Sequence, residues 1–374
     1  MNSNPTFESL TTRRDFLKIA SGAAAACLAT PMLGADFSSA PATRPLPEPT
    51  AQRLPRWRGF NLLEKFVDRG SGPYRESDFE WIAEFGFNFV RLPMSYRCWA
   101  DAQDWLILKE PALKEVDQAV ELGRKTGLHV NLNLHRAPGY CVNAPAEPLD
   151  LWTDEKALDA CAFHWARFAK RYKGIPNANV SFDLLNEPKD LPDDTYVRVV
   201  KRLAEAIRAE DSQRLIIADG LKYGNQPVPG LASLGVAQST RGYAPSQVSH
   251  YRATWVTGSD RWPEPTWPLK RSDKDIWDKE RLRREQIDPW KALAAKGVGV
   301  HVGEWGAHQF TPHTVVLEWM RDYLELWQEA GWGWAMWNFR GSFGPVDSGR
   351  ADVKYEDFRG RKLDRAMIDL LQRY

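Results

Sequence analysis

Two glutamates stand where chemistry would need them. Val180-Ser-Phe-Asp-Leu-Leu-Asn186-Glu187-Pro188 closes one apolar run on Asn-Glu-Pro, and Val298-Gly-Val-His-Val-Gly303-Glu304-Trp305-Gly306 closes another on Gly-Glu-Trp-Gly. A lone glutamate after an apolar run is ordinarily surface charge. Two of them, each ending a buried strand, match what proton transfer and nucleophilic displacement require. That chemistry would need one carboxyl held protonated in a water-poor cleft and the other ionised. A third polar feature is the segment His129-Val-Asn-Leu-Asn-Leu-His135. Strand alternation puts Asn131, Asn133 and His135 on one face and Val130, Leu132 and Leu134 on the other. Three polar residues in a row inside a core must be hydrogen-bonded. Their role stays open between a structural network and a site at the strand's C-terminal end, which His135 would reach.

The elements that must position these residues follow from hydropathy. Strands are expected at Gly59–Leu62, Phe87–Leu92, His129–Leu134, Val180–Leu185, Leu215–Ala218, Gln247–Tyr251, Val298–Gly303 and Trp334–Asn338. Amphipathic helices fit between them, among them Pro111–Thr126, Glu155–Tyr172, Thr195–Ala209, Lys279–Lys296, Thr314–Ala330 and Lys362–Gln372. Gly86, Gly127, Gly297 and Gly331 stand at helix ends, as C-termini prefer. Eight strand-helix steps predict an α/β fold of the (β/α)8 TIM-barrel type, a single domain over 57–374. An open doubly wound sheet is the alternative, weakened by the lack of a glycine-rich phosphate loop. In a barrel, Glu187 and Glu304 would end strands four and seven and meet at the C-terminal mouth, where barrel enzymes place their sites. His301, three residues before Glu304, has the opposite parity and is expected to pack against a helix.

Composition excludes several classes. The chain has 374 residues, 43% hydrophobic and 26% charged, enough to bury a large core. Lys+Arg 50 against Asp+Glu 49 leaves a net charge of +1, which argues against nucleic acid as a partner. The seven histidines are scattered and the cysteines form no CxxC, so no metal site or cofactor is expected. Whether Cys98 and Cys141, each shortly after a strand, pair as a disulfide stays open, and Cys161 reads as packing. The 17 Trp exceed what packing ordinarily uses and suggest platforms for flat ligands such as sugar faces. Trp255, Trp262, Trp267 and Trp277 lie in the long stretch 253–278 and are expected to wall a cleft, with Tyr140 and Trp152 as further candidates.

The N-terminus reads as an address. Thr12-Arg13-Arg14-Asp15-Phe16-Leu17-Lys18 is a twin-arginine pattern, followed by the apolar run Ile19–Leu33. That run is short for a membrane span. Residues 1–35 are expected to act as a signal for the twin-arginine translocase, delivering the protein to the periplasm or the extracellular space. Residues 36–56, with five prolines, read as a linker.

Taken together, the ordered motifs resemble glycoside hydrolase family 5, the cellulase-type (β/α)8 barrels that cleave β-linked glucans and mannans with retention. The motifs are Arg91 in Val-Arg-Leu-Pro, His135 in Leu-His-Arg-Ala-Pro-Gly, Asn186-Glu187-Pro188, His250-Tyr251, Gly303-Glu304-Trp305-Gly306, and Trp337 in Ala-Met-Trp-Asn. The resemblance implies Glu187 as acid/base and Glu304 as nucleophile, with carboxyls about 5–5.5 Å apart as retention requires. It implies substrate-binding roles for Arg91, His135, Asn186, His250, Tyr251 and Trp337, a polysaccharide or oligosaccharide substrate, no cofactor, and a monomer. It departs from the family at strand six, where a His and a Tyr two residues apart are usual and His250 and Tyr251 are adjacent. The resemblance implies a cellulase-like endo-β-1,4-glucanase first, with β-1,3-glucan and β-mannan as alternatives within the family. A barrel that binds carbohydrate without cleaving it is the alternative of another class.

Overall fold

A computed structural model of the chain describes residues 48–374. Residues 1–35 and most of the proline-rich stretch lie outside the described residues. Eight of the nine strands of one sheet are parallel: β1 (Arg58–Asn61), β2 (Phe89–Ser95), β3 (His129–Ala137), β4 (Val180–Asp183), β5 (Ile216–Asp219), β6 (Ala237–Gly242), β7 (Val300–Trp305) and β8 (Trp334–Met336), with the short Tyr140–Cys141 antiparallel to β3. Each of the eight pairs in parallel with the next, and β8 pairs with β1, so the sheet closes into a barrel. Helices α1 (Glu76–Glu84), α2 (Glu110–Thr126), α3 (Glu155–Arg171) and α4 (Asp193–Glu210) follow the first four strands. Only short helical turns, Leu221–Gly224 and Pro229–Leu234, connect β5 to β6. A long excursion after β6 carries the hairpin Leu269–Ser272/Asp275–Trp277 and ends in α5 (Asp288–Ala294). Helix α6 (His313–Ala330) follows β7, and α7 (Arg365–Arg373) follows β8. The molecule is a (β/α)8 TIM barrel.

Local sequence explains the boundaries. Asp154 caps α3 by accepting from the Lys156 and Ala157 amides at 2.8 and 3.3 Å. Gly127 and Gly331 end α2 and α6 in the left-handed region, at φ 72° and 74°. Val130, Leu132 and Leu134 of β3 join the apolar layer between sheet and helices, leaving its polar face inside. There Asn131 donates to Ser181 Oγ at 2.9 Å and Asn133 to the Asp183 carbonyl at 3.1 Å. The floor of the barrel is apolar: Trp57, Phe89, Leu215, Ile217, Ala237 and Ala335 cluster. His129 stacks on Trp57 with ring centroids 3.8 Å apart. Ala51 and Leu54 pack against this floor, and Gly299 N donates to the Ala51 carbonyl, so residues 50–54 belong to the barrel's base.

Two expectations are corrected. The sixth strand is Ala237–Gly242, and Ser246–Ser249 is a helical turn. Hydropathy hides this strand because its outward Gln238 is a polar residue satisfied locally: its amide accepts from Val228 N at 2.9 Å and donates to Val228 O at 2.8 Å. His301 lies inside the barrel, its ring 4.7 Å from Phe89 and 6.3 Å from Trp57. Strict parity fails because the β6–β7 register shifts between Val302 and Glu304. The tryptophans are mostly structural, with Trp57, Trp99, Trp165, Trp290, Trp305, Trp319, Trp327 and Trp334 fully buried. Cys98 and Cys141 are free thiols.

Closure depends on backbone approach at β1. A Cβ on Gly59 would stand 1.7 Å from the Phe89 carbonyl oxygen, a contact no rotamer relieves. Gly59→Ala should therefore cost about 3 kcal/mol of stability. Gly72→Ala, where a Cβ meets nothing within 4 Å, should cost almost nothing. Denaturant melts of both variants check this; equal midpoints would refute the argument.

Candidate active site

The C-terminal ends of the strands open into a cleft of about 560 Å³. Glu187 and Glu304 both line it, with His135, Asn143, Tyr243, His250 and Asn338. Two aromatic groups also line it: Phe66 and Trp337, and Trp255 and Phe343. Trp337 lies 5.4 Å from Phe66 and 5.9 Å from His135, while Trp255 is the most exposed tryptophan in the cleft, at 57%.

Beneath the cleft is a buried ionic cluster. Arg91 donates through Nε to Asp183 at 2.8 Å, through Nη1 to Glu304 Oε1 at 2.6 Å and Asn61 Oδ1 at 3.1 Å, and through Nη2 to Asn186 Oδ1 at 2.8 Å. A second guanidinium sits beside it. Arg241 on β6 donates through Nε to Glu187 Oε1 at 2.9 Å, and grips Asp219 with Nη1 and Nη2. Its Nη2 also donates to Asn186 Oδ1 at 3.0 Å and lies 3.6 Å from Glu304 Oε1. Tyr243 donates its hydroxyl to Glu304 Oε2 at 3.2 Å. Glu187 has φ 51°, a strained conformation for a residue with a Cβ. Its amide donates to Asp219 Oδ2 at 2.8 Å, and Tyr140 donates to its carbonyl at 2.6 Å, so both sides of that peptide are pinned.

Two guanidiniums face four carboxyls: Asp183, Glu187, Asp219 and Glu304. Arginine does not give up its proton in proteins, so the charge balance must be struck on the acids. Burial, then the adjacent Glu304, pushes Glu187 up to about 7 against the pull of Arg241. Burial and the neighbouring Asp219 push Asp183 up to about 7 as well. Glu187 thus holds a proton near neutrality at the wall of an open cleft, while Glu304 sits in an ion pair with Arg91. That arrangement can deliver a proton to one atom of a ligand while a carboxylate approaches another.

The remaining groups sort by position. His135 is held neutral, its pKa lowered to about 4 by burial, and its Nε2 bonds Asn143 Oδ1 at 2.6 Å. Its Nδ1 has no partner among the described residues, and neither has Asn186 Nδ2. His250 lines the cleft, whereas Tyr251 is buried outside it, because both follow a helical turn rather than riding a strand. The residues two apart at the end of the true sixth strand are Arg241 and Tyr243. Sequence reasoning passed over both, together with Asp219. The signal for them is the Arg241-Gly242-Tyr243 step after Ala-Gln-Ser-Thr, in a strand that hydropathy does not mark. Of the aromatics expected to wall the cleft, Trp255 does. Trp277 is a buried residue of the hairpin itself, Trp267 donates to Asp322 at 2.8 Å, and Tyr140 and Trp152 pack on each other behind Glu187. Among the described residues, no group of three or more His, Cys, Asp or Glu is arranged to hold a metal ion.

Comparison with known proteins bears on the family and the fold. Residues 50–342 match the model of the cellulase family, glycosyl hydrolase family 5. Endoglucanase C of Acetivibrio thermocellus is 26% identical over 291 residues, 71% of this chain and 83% of that protein. A crystal structure described as a glycoside hydrolase superposes with TM-score 0.81 at 40% identity, covering 85% of this chain and 99% of that one. An endoglucanase from the hyperthermophile Thermotoga maritima shares the fold, with TM-score 0.68 at 23% identity over 84% of this chain and 96% of its own.

Removing one member of the ionic cluster should be costly. Arg91→Met takes the closest cation from buried Asp183 and Glu304, leaving Glu304 only Arg241 at 3.6 Å, and should lower stability by about 3 kcal/mol. Chemical denaturation of the variant measures it; a loss below about 1 kcal/mol would show that the cluster relaxes without Arg91.

Proposed function

The chain belongs to the cellulase family of glycosyl hydrolases, family 5, and on that premise we propose that it hydrolyses β-linked glucan with retention, using Glu187 as acid/base and Glu304 as nucleophile. The observation that carries this reading is the shared cleft in which a proton-holding Glu187 and an arginine-paired Glu304 meet. In the first step a Glu304 oxygen bonds the anomeric carbon as the glycosidic C–O bond breaks, and Glu187 passes its proton to the leaving oxygen. In the second, Glu187 takes a proton from water, whose oxygen displaces Glu304 from the same carbon. Two inversions restore the original configuration.

The surroundings support these roles. Both arginines occupy Asn186 Oδ1, which leaves its Nδ2 to donate to a sugar 2-hydroxyl. Trp337 offers a platform for the sugar at the cleaved bond, and Trp255 a second aromatic face further along. His135 and His250, both neutral, line the path as hydrogen-bonding groups. Tyr243 donates to Glu304, whereas Tyr251, expected to bind substrate, is buried away from the cleft. β-1,4-Glucan is the leading substrate, and the relative named endoglucanase C supports a glucan.

Reducing ends released from soluble β-1,4-glucan, β-1,3-glucan, mixed-linkage glucan and β-mannan identify the linkage. Glu304→Ala should lower turnover at least 10⁴-fold without unfolding the protein, an order typical of a lost nucleophile. Glu187→Ala should fail on polysaccharide but keep cleaving aryl glycosides whose leaving group needs no proton. Full turnover in Glu304→Ala would remove the nucleophile assignment. Binding without release of any reducing end in the native protein would favour a non-catalytic carbohydrate-binding barrel.

We further propose that residues 1–35 direct export of the folded protein to the periplasm or beyond, on the strength of Arg13-Arg14 and the apolar run Ile19–Leu33. Arg13→Lys with Arg14→Lys should retain the protein in the cytoplasm. Unchanged export in cell fractionation would refute it.

A further inference from the structure

Arg241 occupies space that the chain keeps open for it. A Cβ on Gly303 would meet Arg241 Nη1 at 2.9 Å and Ser239 Oγ at 2.5 Å, and a Cβ on Gly224 would meet Arg241 Cγ at 2.7 Å. Two glycines on separate segments thus form the slot for one side chain. Its five N–H groups make six contacts, one Nη1 proton being shared: Nε to Glu187, Nη1 to Asp219, Ser239 Oγ and the Thr240 carbonyl, Nη2 to Asn186 and Asp219. Asp219 in turn accepts from the Glu187 amide. A residue that only filled a core would need neither this fork nor a buried carboxylate to brace it, since apolar packing serves stability at least as well.

Resting on the acid/base and nucleophile reading above, we propose that Arg241, braced by Asp219, is a positioning residue: it holds both reacting carboxyls in one frame and sets the pH range over which they work. The guanidinium lies 2.9 Å from Glu187 Oε1 and 3.6 Å from Glu304 Oε1; at Glu187 it favours the ionised form and Asp219 opposes it. The other groups facing Arg241 are Arg91 from β2, Asp183 and Asn186 from the β4 end, and Tyr243 after β6. His135 on β3 and His301 on β7 also face it, both kept neutral by burial. The two histidines and the second arginine hold constant charge across the working range, so the balance rests on the acids.

The test is the pH dependence of kcat/KM for the full-length protein, Arg241→Met, Arg241→Lys and Asp219→Asn. Each is assayed on the polysaccharide cleaved fastest and on the dinitrophenyl glycoside of the same sugar, with folding followed by circular dichroism. In Arg241→Met both limbs of the profile on polysaccharide should move up by roughly 1–2 pH units. On the dinitrophenyl glycoside only the ascending limb should remain, displaced likewise. Asp219→Asn should move the descending limb the other way. Arg241→Lys, which keeps the charge but loses the fork, should keep its limbs while kcat falls about 10-fold. Lower rates with limbs unmoved in both Arg241→Met and Asp219→Asn, or limbs moved in the same direction, would overturn the proposal. Should Arg241→Met fail to fold, the displacement in Asp219→Asn decides alone. Glu304→Ala run alongside separates the levels: if it keeps its activity, the underlying assignment fails; if it is inactive and the limbs stay put, only the role of Arg241 falls.

Discussion

The constraint on which the rest depends is charge balance in a closed space. Arg91 and Arg241 are each 1% exposed, and four carboxyls reach them inside one barrel mouth. Neither arginine can shed its charge, and a low-dielectric interior does not tolerate two surplus negative charges. The acids must therefore share protons, and the partly exposed Glu187, on the cleft wall, is one of the two that hold them. A carboxyl with a proton beside a carboxylate with a cation is a reactive asymmetry, and here it arises from counting charges rather than from any one contact.

The barrel is what makes such a cluster affordable in geometry. Its members come from β2, β4, β5, β6 and β7, adjacent or nearly so around the closed sheet, so ladder hydrogen bonds fix their backbones before any side chain is placed. Below them Trp57, Phe89 and the neutral His129 and His301 form a buried aromatic base. Above them the backbone departs from regularity where side chains must be aimed: the register shift before Glu304 and the left-handed Glu187. Regular strands locate the site, and local irregularities orient it.

Much of this was legible in the sequence, for identifiable reasons. Seven of the eight strands were marked by apolar runs, and the ends of two of them pointed to Glu187 and Glu304. Alternation in 129–135 correctly required a polar interior. The sixth strand was not legible, because Gln238, Ser239, Thr240 and Arg241 carry no hydropathy signal, and the side-chain partners that satisfy them are known only after folding. That single omission displaced the site's His-Tyr assignment onto 250–251 and hid Arg241 and Tyr243. His301 failed for a different reason: parity counts residues, and a register shift alters the count. The tryptophan surplus misled in part, since a large indole that looks like a platform in composition is more often wedged between helix and sheet, as Trp305, Trp319 and Trp327 are.

Burying this cluster has a thermodynamic consequence with a definite sign. Asp183 and Glu187 are raised in the folded state above the ordinary carboxyl range near 4. A group shifted in that direction binds its proton more tightly when folded. The stability it contributes is present below the unfolded value and declines as pH rises toward about 7. A purely stable barrel would replace these acids and arginines with packed apolar residues, and would lose nothing in folding by doing so. Their retention in the interior is therefore not explained by stability. What the arrangement provides is a carboxyl whose proton is available where the cleft opens, set against a second one held by arginine, and the folding free energy forgone near neutrality is the measure of that asymmetry.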